Sequence, residues 1–426
     1  MANYELRVDT LEMKKALDVL STVINRKNAL PILADAKLSY DRETRLFSLT
    51  AGNTEQYLTI VCTAPSTAAE DIDNGTAERK PWLFLDGDDK AQPFESVCIN
   101  VADFKEAFGM LPQLPAMCQL TMQENGGSLK VNYGRGEFTL PVELGTDYPM
   151  PPAVLEKGHQ LVGTATPLVK FNIDTMRLLP LISDARCCAA NDELRPVINT
   201  VLIDCFHDHC VVVATDGHSL YKNVVDTGMG WLVYGEFGAT ESGKLLLPAQ
   251  AMQALIKSMA AAKAITITAD TQRVNICSTD GVVSLTTVMI DGAYPNYESV
   301  IPAQQPHSVT VDRLELLMCL KRTGIFSAEA SNMCIIRRVD DALQINAADD
   351  AMGRAAQEGV TIINPDSSLP DDFTTGCKIS TLQKLLDCIS TDQLRMEINQ
   401  PDTPILLKEE GKVSALTLLL MPMKID

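Results

Sequence analysis

The feature that most constrains how this chain folds is an internal repeat of domain size. Residues 8–17, 173–182 and 311–320 are three versions of one helix start, in which a strand-like residue precedes an aspartate and apolar residues then recur at helical spacing. An aspartate at that position can accept hydrogen bonds from the free backbone N–H groups of the first turn. Each segment therefore predicts a capped amphipathic helix.

The elements that follow these helices repeat in the same order. Each helix is followed by two alternating apolar and polar segments joined by a polar turn, which predicts a β-hairpin, and then by a second short amphipathic helix. Amphipathic helices can resemble one another by chance, but a shared order of elements makes chance a poor explanation. We therefore predict an α+β fold of three similar domains, each an antiparallel sheet backed by two helices. The hairpins lie at residues 36–50, 201–215 and 334–347, and the second helices at residues 101–108, 248–257 and 380–389.

Proline-rich joints predict the domain boundaries. They lie near residues 148–153 and 294–302 and divide the chain into domains of residues 1–152, 153–302 and 303–426. The first domain is longer than the others because it contains a polar, turn-rich segment at about residues 64–94. We interpret that segment as a surface insertion or a partly ordered loop.

Composition restricts the class of protein. Hydrophobic residues make up 46% of the chain, which is enough for a large core, and the apolar runs are strand-sized and too short for a membrane helix. The N-terminus enters an alternating pattern directly and lacks the features of a secretory signal, so a cytoplasmic protein without a membrane partner is expected. The 12 cysteines form no CxxC pair and occur in apolar segments, which predicts reduced, buried thiols.

Charge places a condition on any binding of nucleic acid. Asp and Glu outnumber Lys and Arg by 55 to 36, and the net charge of −19 disfavours DNA contact over the surface as a whole. Every predicted helix nevertheless carries lysine or arginine, and helices in equivalent positions can line one face. Such a basic face would contact phosphates, with salt-dependent affinity and without reading base sequence. The alternative is that these cations belong to ordinary solvated helix faces.

Five segments carry a resemblance to a known family. Residues 213–220 (Val-Ala-Thr-Asp-Gly-His-Ser-Leu), 291–302 (Asp-Gly-Ala-Tyr-Pro-Asn-Tyr-Glu-Ser-Val-Ile-Pro) and 419–424 (Leu-Leu-Met-Pro-Met-Lys) are three of them. Residues 30–33 (Leu-Pro-Ile-Leu) and 195–199 (Arg-Pro-Val-Ile-Asn) are the others. In this order across a threefold repeat, they resemble the bacterial DNA polymerase III beta subunit, the sliding clamp family. The resemblance covers essentially the whole chain outside the insertion.

The resemblance implies a function and an assembly. It implies a non-catalytic processivity factor of DNA replication, a head-to-tail homodimer whose ring encircles double-stranded DNA without sequence specificity. The ring would tether the catalytic subunit of the replicative polymerase, and its other partners would be a clamp loader and clamp-binding replication and repair proteins. The contact between subunits would use Phe138 from the first domain and Ile325 and Phe326 from the third.

The resemblance also implies a groove that binds a short peptide of each partner through apolar anchors. Methionine and branched aliphatic walls can adapt to several related anchors, and a few polar groups can orient the peptide. Ser219 and Lys424 stand where the family usually has arginine, so the peptide preference of this groove is expected to differ. The groove residues implied are Ile198, Thr215, Gly217, His218, Leu220, Pro295, Val300, Leu419, Leu420, Met421, Pro422 and Met423.

For DNA, the resemblance implies contacts at five basic positions. These contacts would be to phosphates on the inner face of the ring. Some positions where the family commonly has basic residues hold Ala249 and Gln250 here, so a less positive face is expected. The DNA-facing residues implied are Lys15, Arg26, Lys27, Arg195 and Lys257.

Two other classes of protein compete with this hypothesis. One is an enzyme acting on a nucleotide or nucleic acid, with a site near residues 215–218; the other is a repeat-built interaction scaffold that forms no ring. Residues 205–210 (Cys-Phe-His-Asp-His-Cys) resemble a zinc site, but zinc ligands usually come as two separated pairs, whereas these residues fit one tight turn. The sequence contains no phosphate-binding loop, dinucleotide fingerprint or nucleophile elbow, and we expect no catalytic residue, metal or cofactor.

Overall fold

The structure is a computed structural model that describes residues 3–24, 30–63, 81–85, 96–111, 117–123, 127–150, 169–206, 209–226, 243–270, 272–364, 368–412 and 415–425. The chain divides into two compact units. The first comprises Met1–Met176, Trp231–Glu236 and Gln250–Met289, and the second comprises Arg177–Gly230, Phe237–Ala249 and Ile290–Asp426. Residues 153–302, predicted as the middle domain, contribute to both units.

Within the described residues, each of the three predicted copies contains two α-helices, as the sequence predicts. The Asp9 carboxylate accepts from the backbone N–H groups of Leu11 and Glu12 at 2.9 and 3.1 Å, and Asp312 accepts from Glu315 N–H at 2.7 Å, so these two predicted caps are confirmed. In the described part of the chain, no helix has the length and apolar character that a membrane crossing requires. The α-helices of the described part of the chain are α1 (Thr10–Leu20), α2 (Val101–Gly109), α3 (Thr175–Arg186), α4 (Ala249–Ser258), α5 (Arg313–Gly324) and α6 (Ile379–Asp387).

Strands make up most of the remaining regular structure. The first are β1 (Asn3–Asp9), β2 (Asp35–Asp41), β3 (Leu46–Gly52), β4 (Gln56–Val61), β5 (Leu83–Leu85), β6 (Ser96–Asn100), β7 (Met117–Gln123), β8 (Gly127–Tyr133), β9 (Gly136–Leu144), β10 (Val169–Asp174), β11 (Thr200–Cys205), β12 (His209–Thr215) and β13 (Ser219–Asp226). The others are β14 (Gly243–Pro248), β15 (Ala264–Ala269), β16 (Arg273–Ser278), β17 (Val283–Val288), β18 (His307–Asp312), β19 (Met333–Val339), β20 (Ala342–Asp349), β21 (Arg354–Thr361), β22 (Thr374–Lys378), β23 (Gln393–Ile398), β24 (Ile405–Glu409) and β25 (Thr417–Leu420).

One sheet of 13 strands organises the first unit. Its order is β10-β15-β16-β17-β4-β3-β2-β6-β9-β8-β7-β1-β5, and its pairs are antiparallel. The join between its two halves is the pair β17–β4, in which Leu285 lies opposite Leu58. Both leucines are fully buried. Apolar contact across this pair therefore links segments that are far apart in the sequence.

The second unit contains two sheets. An eight-stranded sheet has the order β14-β11-β12-β13-β25-β24-β23-β18, and a four-stranded sheet has the order β21-β20-β19-β22. The last strand of the chain, β25, is inserted between β13 and β24, with Leu419 opposite Leu220 on one side and Leu406 on the other. The end of the chain therefore lies beside a strand that precedes it by about 200 residues.

The three predicted hairpins are confirmed as the pairs β2–β3, β11–β12 and β19–β20. In the first, Leu38 lies opposite Leu49, and both are buried. In the last, Ile336 lies opposite Ile345, and both are again buried. Alternation places one face of each hairpin in the core, which is why the pattern could be read from the sequence.

Part of the segment predicted as a surface insertion is not a loop. Strand β5 forms the edge of the large sheet, where Leu83 lies opposite Val8. The Trp82 carbonyl accepts from Asp9 N–H at 2.7 Å, and the Trp82 side chain is 6% exposed. These apolar residues gain core burial, and this outweighs the polar, turn-rich character of their neighbours. Residues 64–80 and 86–94 of the segment lie outside the described residues.

All 12 cysteines are free thiols, as predicted. Ten are buried, and two, Cys187 after helix α3 and Cys388 after helix α6, are half-buried. Asp184 lies in the last turn of α3 close to both. Burial raises the pKa of its carboxyl to about 6, and the negative charge of the nearby Cys187 thiolate adds to the rise.

This raised pKa predicts a pH-dependent effect of replacing Asp184 with Asn. A raised carboxyl pKa favours folding below the unfolded value near 3.8, and this contribution is lost as pH rises through about 6. Asp184→Asn is therefore expected to be more stable than wild type by about 1 kcal/mol at pH 7.5, discounted for partial exposure, and equally stable at pH 4. Urea unfolding at both pH values measures this, and Asp387→Asn, an exposed change on helix α6, should show no such difference. Equal stability of Asp184→Asn and wild type at pH 7.5 would contradict the assignment.

Candidate functional site

An apolar cluster on the eight-stranded sheet forms the floor of a candidate binding site. Its members come from β11, β12, β13, β14, β24 and β25, and a layer of half-buried apolar side chains packs against it. We call the buried set the groove cluster; it comprises Leu202, Val211, Val213, Leu220, Leu246, Leu406 and Leu419. The half-buried layer comprises Val197, Phe206, Val224, Ile290, Tyr294, Tyr297, Ile301 and Met421. This layer leaves apolar surface within reach of a binding partner.

The loop between β12 and β13 borders this surface and is held by its own polar side chains. One oxygen of the Asp216 carboxylate accepts from the N–H groups of His218 and Ser219, at 2.9 and 2.6 Å, and from the Ser219 hydroxyl at 3.0 Å. The Thr215 hydroxyl donates to the Ser219 carbonyl at 2.7 Å and accepts from Gly217 N–H at 3.1 Å. The loop is therefore preorganised, with Gly217 and His218 exposed at its tip.

A glycine is required at the tip of this loop. Gly217 has a φ of +85°, a conformation that other residues rarely adopt. The guanidinium of Arg195 is close by, because its Nη1 would be 3.9 Å from a Cβ at position 217. Arg195 Nε donates to the Asp192 carboxylate at 2.8 Å. Arg195 therefore lies at the rim of the candidate site, beside the loop.

The segment that follows β25 is hydrogen-bonded to the loop between β12 and β13. Met421 N–H donates to the His218 carbonyl at 2.8 Å, and Met423 N–H donates to the Gly376 carbonyl at 2.7 Å. The side chains of Met421 and Met423 are half-buried. Along β25 the side chains alternate between faces, so Leu419 joins the groove cluster while Leu420, 1% exposed, faces the other side of the sheet.

Two tyrosines form part of the half-buried layer. The rings of Tyr294 and Tyr297 are 6.4 Å apart in a T-shaped arrangement. Burial raises the pKa of Tyr297 to about 12 and also raises that of Tyr294, so both phenols are neutral at physiological pH. Lys222 Nζ lies 5.5 Å from the centre of the Tyr297 ring and 2.9 Å from Glu298 Oε1. The layer is therefore apolar, with charges at its edge.

The structure brings most of the predicted groove residues to this region. Thr215, Gly217 and His218 lie in the loop, Pro295 and Val300 are exposed beside the tyrosines, and Met421 to Met423 follow β25. Four predicted members are buried instead, namely Ile198, Leu220, Leu419 and Leu420, at 6, 1, 2 and 1% exposure. Ser219 is buried as well, with its hydroxyl bonded to Asp216, so the residue that replaces an expected arginine stabilises the loop.

Several residues of the surface were not predicted. Val197 packs against the groove cluster, whereas its predicted neighbour Ile198 does not. Tyr294 and Tyr297 lie in residues 291–302, which carry part of the family resemblance, but the resemblance implies only Pro295 and Val300 of this segment as groove residues. An aromatic pair that brackets a proline was the signal that could have identified the tyrosines.

In the first unit, two predicted DNA-facing lysines border one cavity of about 280 Å³. Lys15 reaches it from α1 and Lys257 from α4, the second helix of another copy. Lys15 Nζ lies 2.7 Å from Glu12 Oε1, so part of its charge is neutralised locally. Two other predicted DNA-facing residues, Arg26 and Lys27, lie outside the described residues.

The three predicted interface residues lie at or near the surface. Ile325 and Phe326 follow helix α5 and are 70 and 38% exposed. Phe138 on β9 is half-buried, with its ring 6.2 Å from that of Phe108 and 5.8 Å from that of Tyr133. An exposed isoleucine and phenylalanine in sequence form an apolar surface that a partner can cover.

The chemistry proposed in the alternative enzyme hypothesis has no support at the loop. The Ser219 hydroxyl is buried and donates to Asp216, so it is not activated by His218. Within the described residues, no group of three His, Cys, Asp or Glu side chains is placed to hold a metal ion. Cys205 and Cys210 lie opposite each other in the hairpin β11–β12, while His207 and Asp208 of the zinc-like motif lie outside the described residues.

Comparison with known proteins identifies similar chains over the whole length. A family model described as "DNA polymerase III beta subunit, C-terminal domain" matches residues 298–424. The beta sliding clamp of Pseudomonas putida is 24% identical and covers 73% of this chain and 78% of its own; that of Synechococcus elongatus is 23% identical and covers 97% of both. The crystal structure of the C. crescentus beta sliding clamp has a TM-score of 0.78 at 20% identity and covers 100% of both chains. The fold of this chain is therefore that of the sliding clamps.

Proposed function

The chain belongs to the family of the bacterial DNA polymerase III beta subunit, and on this premise we propose that it is a sliding clamp. In this function it is a non-catalytic processivity factor that encircles duplex DNA and slides without sequence specificity. It tethers the replicative polymerase and other partners through a peptide-binding groove. The observation that carries the proposal is the candidate groove, where a preorganised loop and the chain end border a half-buried apolar layer.

We assign the groove to the exposed and half-buried residues of this region. The loop supplies Thr215, Gly217 and His218, and exposed backbone at its tip can bond to an extended peptide. The apolar walls accept anchors of the peptide, and the neutral phenols add contact area with little loss of side-chain entropy. Arg195 belongs to the rim of this groove, because it lies beside Gly217. The walls are Val197, Tyr294, Pro295, Tyr297, Val300, Met421, Pro422 and Met423.

The partners proposed for the groove are those of a replicative clamp. They are the catalytic subunit of the replicative polymerase, the clamp loader, and other replication and repair proteins that carry a suitable peptide. One groove surface that adapts to several related peptides implies competition among these partners. We also propose that the chain is a head-to-tail homodimer of three-domain subunits, with Phe138 contacting Ile325 and Phe326 of the second subunit.

We propose that Lys15 and Lys257 face DNA phosphates, and this predicts an effect on salt dependence. Replacing both with alanine is expected to lower binding to duplex DNA and to reduce the slope of log K against log salt by one to two, because each phosphate that a lysine neutralises adds about 0.9 to that slope. Fluorescence anisotropy of a labelled duplex over a range of NaCl concentrations measures the slope. The matched control replaces Lys130 and Lys244, on strands β8 and β14, with alanine. A slope that falls equally in both double variants would count against a local DNA-facing surface.

The experiment that tests the proposed function is negative-stain electron microscopy of the purified full chain. A sliding clamp is expected to appear as a hollow ring. Compact particles or open arcs, with no population of rings at ordinary salt, would instead favour the scaffold or the enzyme. A measured turnover that Asp216→Asn or His218→Ala abolishes would also favour the enzyme.

A further inference from the structure

Three thiols meet where two helices end. Cys187 follows α3, and Cys388 follows α6, 201 residues later. The Cys187 Sγ lies 3.5 Å from the Cys388 Sγ and 3.7 Å from the Cys188 Sγ. We call Cys187, Cys188 and Cys388 the thiol cluster. Cys187 and Cys388 both lie in the second unit, so the contact between their sulfurs is made within one compact unit.

Two members of this cluster differ from the other cysteines in their access to solvent. Cys187 and Cys388 are half-buried, whereas the other ten cysteines are buried. Cys205 and Cys210 also lie opposite each other in the hairpin β11–β12, as do Cys334 and Cys377 in the pair β19–β22, but all four are buried. A dissolved oxidant can therefore reach Cys187 and Cys388 and is excluded from these two cross-strand pairs.

The surroundings of Cys187 and Cys388 shift the pKa values of the two thiols in opposite directions. Hydrogen bonds from the Cys188 and Cys388 thiols, with the nearby charges of Lys384 and Arg186, hold the pKa of the Cys187 thiol well below its usual range. The Cys388 Sγ lies 3.3 Å from the Lys384 carbonyl oxygen, and the hydrogen bond to Cys187 raises the pKa of the Cys388 thiol. These surroundings favour the thiolate, the form that reacts with oxidants, at Cys187 and the protonated thiol at Cys388.

Backbone geometry selects Cys388 over Cys188 as the partner of Cys187. Consecutive Cα atoms across a trans peptide are about 3.8 Å apart, whereas disulfides usually join Cα atoms about 4.4 to 6.8 Å apart. A bond between Cys187 and Cys188 would therefore distort the backbone. No peptide bond restrains Cys187 against Cys388, and their sulfurs are already the closer pair.

We propose that Cys187 and Cys388 form a reversible disulfide when the protein meets a peroxide. The Cys187 thiolate attacks one peroxide oxygen, the O–O bond breaks, and the released hydroxide takes a proton to become water. The resulting sulfenic acid is attacked by the Cys388 sulfur; the S–S bond forms, the S–O bond breaks, and the hydroxyl leaves as water with the Cys388 proton. Two thiols are oxidised and one hydrogen peroxide is reduced to two waters.

The cross-link joins the ends of α3 and α6, and the cysteine beside it contacts the loop between β12 and β13. The Cys188 thiol, next to the cross-link, hydrogen-bonds the Ser219 side chain, which in turn bonds Asp216 of that loop. Closing a loop of this length reduces the entropy of the unfolded chain and is expected to raise Tm by several degrees. Formation of the disulfide does not require a peptide in the groove. The result of a test for the disulfide is therefore independent of the proposed function.

The test treats the full-length chain with hydrogen peroxide, followed by blocking of free thiols, digestion without reductant, and mass spectrometry. The expected result is one linked peptide pair that contains Cys187 and Cys388, with loss of two free thiols that dithiothreitol restores. Cys188→Ser should retain this linkage, and Cys388→Ser should abolish it and leave Cys187 as a sulfenic acid that a dimedone probe captures. Wild-type protein that keeps all its thiols, or that links Cys187 to Cys188, would overturn the proposal.

Discussion

Replacing Met421 and Met423 together with alanine is expected to weaken binding of a partner peptide roughly 10- to 100-fold. Both side chains are half-buried in the segment that follows β25. That segment is bonded to the loop between β12 and β13 through Met421 N–H, which donates to the His218 carbonyl. Truncation removes apolar contact with the peptide anchors but leaves the backbone bonds in place. Fluorescence anisotropy with a labelled clamp-binding peptide from the replicative polymerase of the same organism measures the change in Kd.

The control for this prediction is Met352→Ala, because Met352 is 66% exposed in the turn between β20 and β21. It should bind the peptide like wild type. The double variant should retain the mass of the wild-type assembly, which separates loss of binding from loss of folding. Leu420 is a poor probe, since it is buried and its truncation would reduce stability by about 2 to 5 kcal/mol. Unchanged peptide affinity in the double variant would mean that the groove lies elsewhere.

Replacing Ile325 and Phe326 together with aspartate is expected to convert the dimer to monomers. In the proposed dimer these apolar side chains are covered by the second subunit, and two carboxylates there would have to lose water without gaining partners. The expected loss in association is on the order of 1000-fold. Both residues are exposed in the single chain, so the substitutions should cost the monomer little stability.

Light scattering after size-exclusion chromatography at micromolar concentration measures this change. Wild type should have about twice the chain mass of 46.4 kDa, and the variant should have the chain mass itself. The matched control replaces Leu194 and Met352, which are 91 and 66% exposed, with aspartate, and it should remain a dimer. A variant at Ile325 and Phe326 that stays dimeric would remove these residues from the interface.

Much of the fold could be predicted because its signals are local. The aspartate caps at Asp9 and Asp312 lie within three residues of the N–H groups they bind. The hairpins alternate with a period of two and close through short turns. The order of elements in three copies then indicated the fold class. None of these steps needed contacts between distant parts of the chain.

The rest depended on pairing between distant segments. The pair β17–β4 and the insertion of β25 beside β13 join strands about 200 residues apart, and no sequence period encodes them. Strand β5 was missed because three apolar residues in a polar segment carry too little signal to predict a strand. These pairings determine where the large sheet continues and where the end of the chain lies.

The candidate groove shows the same division. The resemblance identified the segments that meet there, but it did not determine which residues of a segment face the surface. Leu419 joins the groove cluster and Leu420 faces away, because one residue reverses the side of a strand. Val197, and not the predicted Ile198, packs against the groove cluster, because consecutive residues of the short helical turn Pro196–Asn199 point in different directions. Arg195 was predicted to contact DNA, and its position beside Gly217 could be found only from the structure.

Encirclement of DNA by this chain can be tested through the topology of the DNA. The labelled protein would be loaded on a nicked circular plasmid by the clamp loader of the same organism, and the complexes would be isolated by gel filtration at high salt, where phosphate contacts alone are weak. A protein that encircles DNA is expected to stay with the circular plasmid and to be released when a restriction enzyme linearises it. Equal retention on circular and linear plasmids would contradict encirclement.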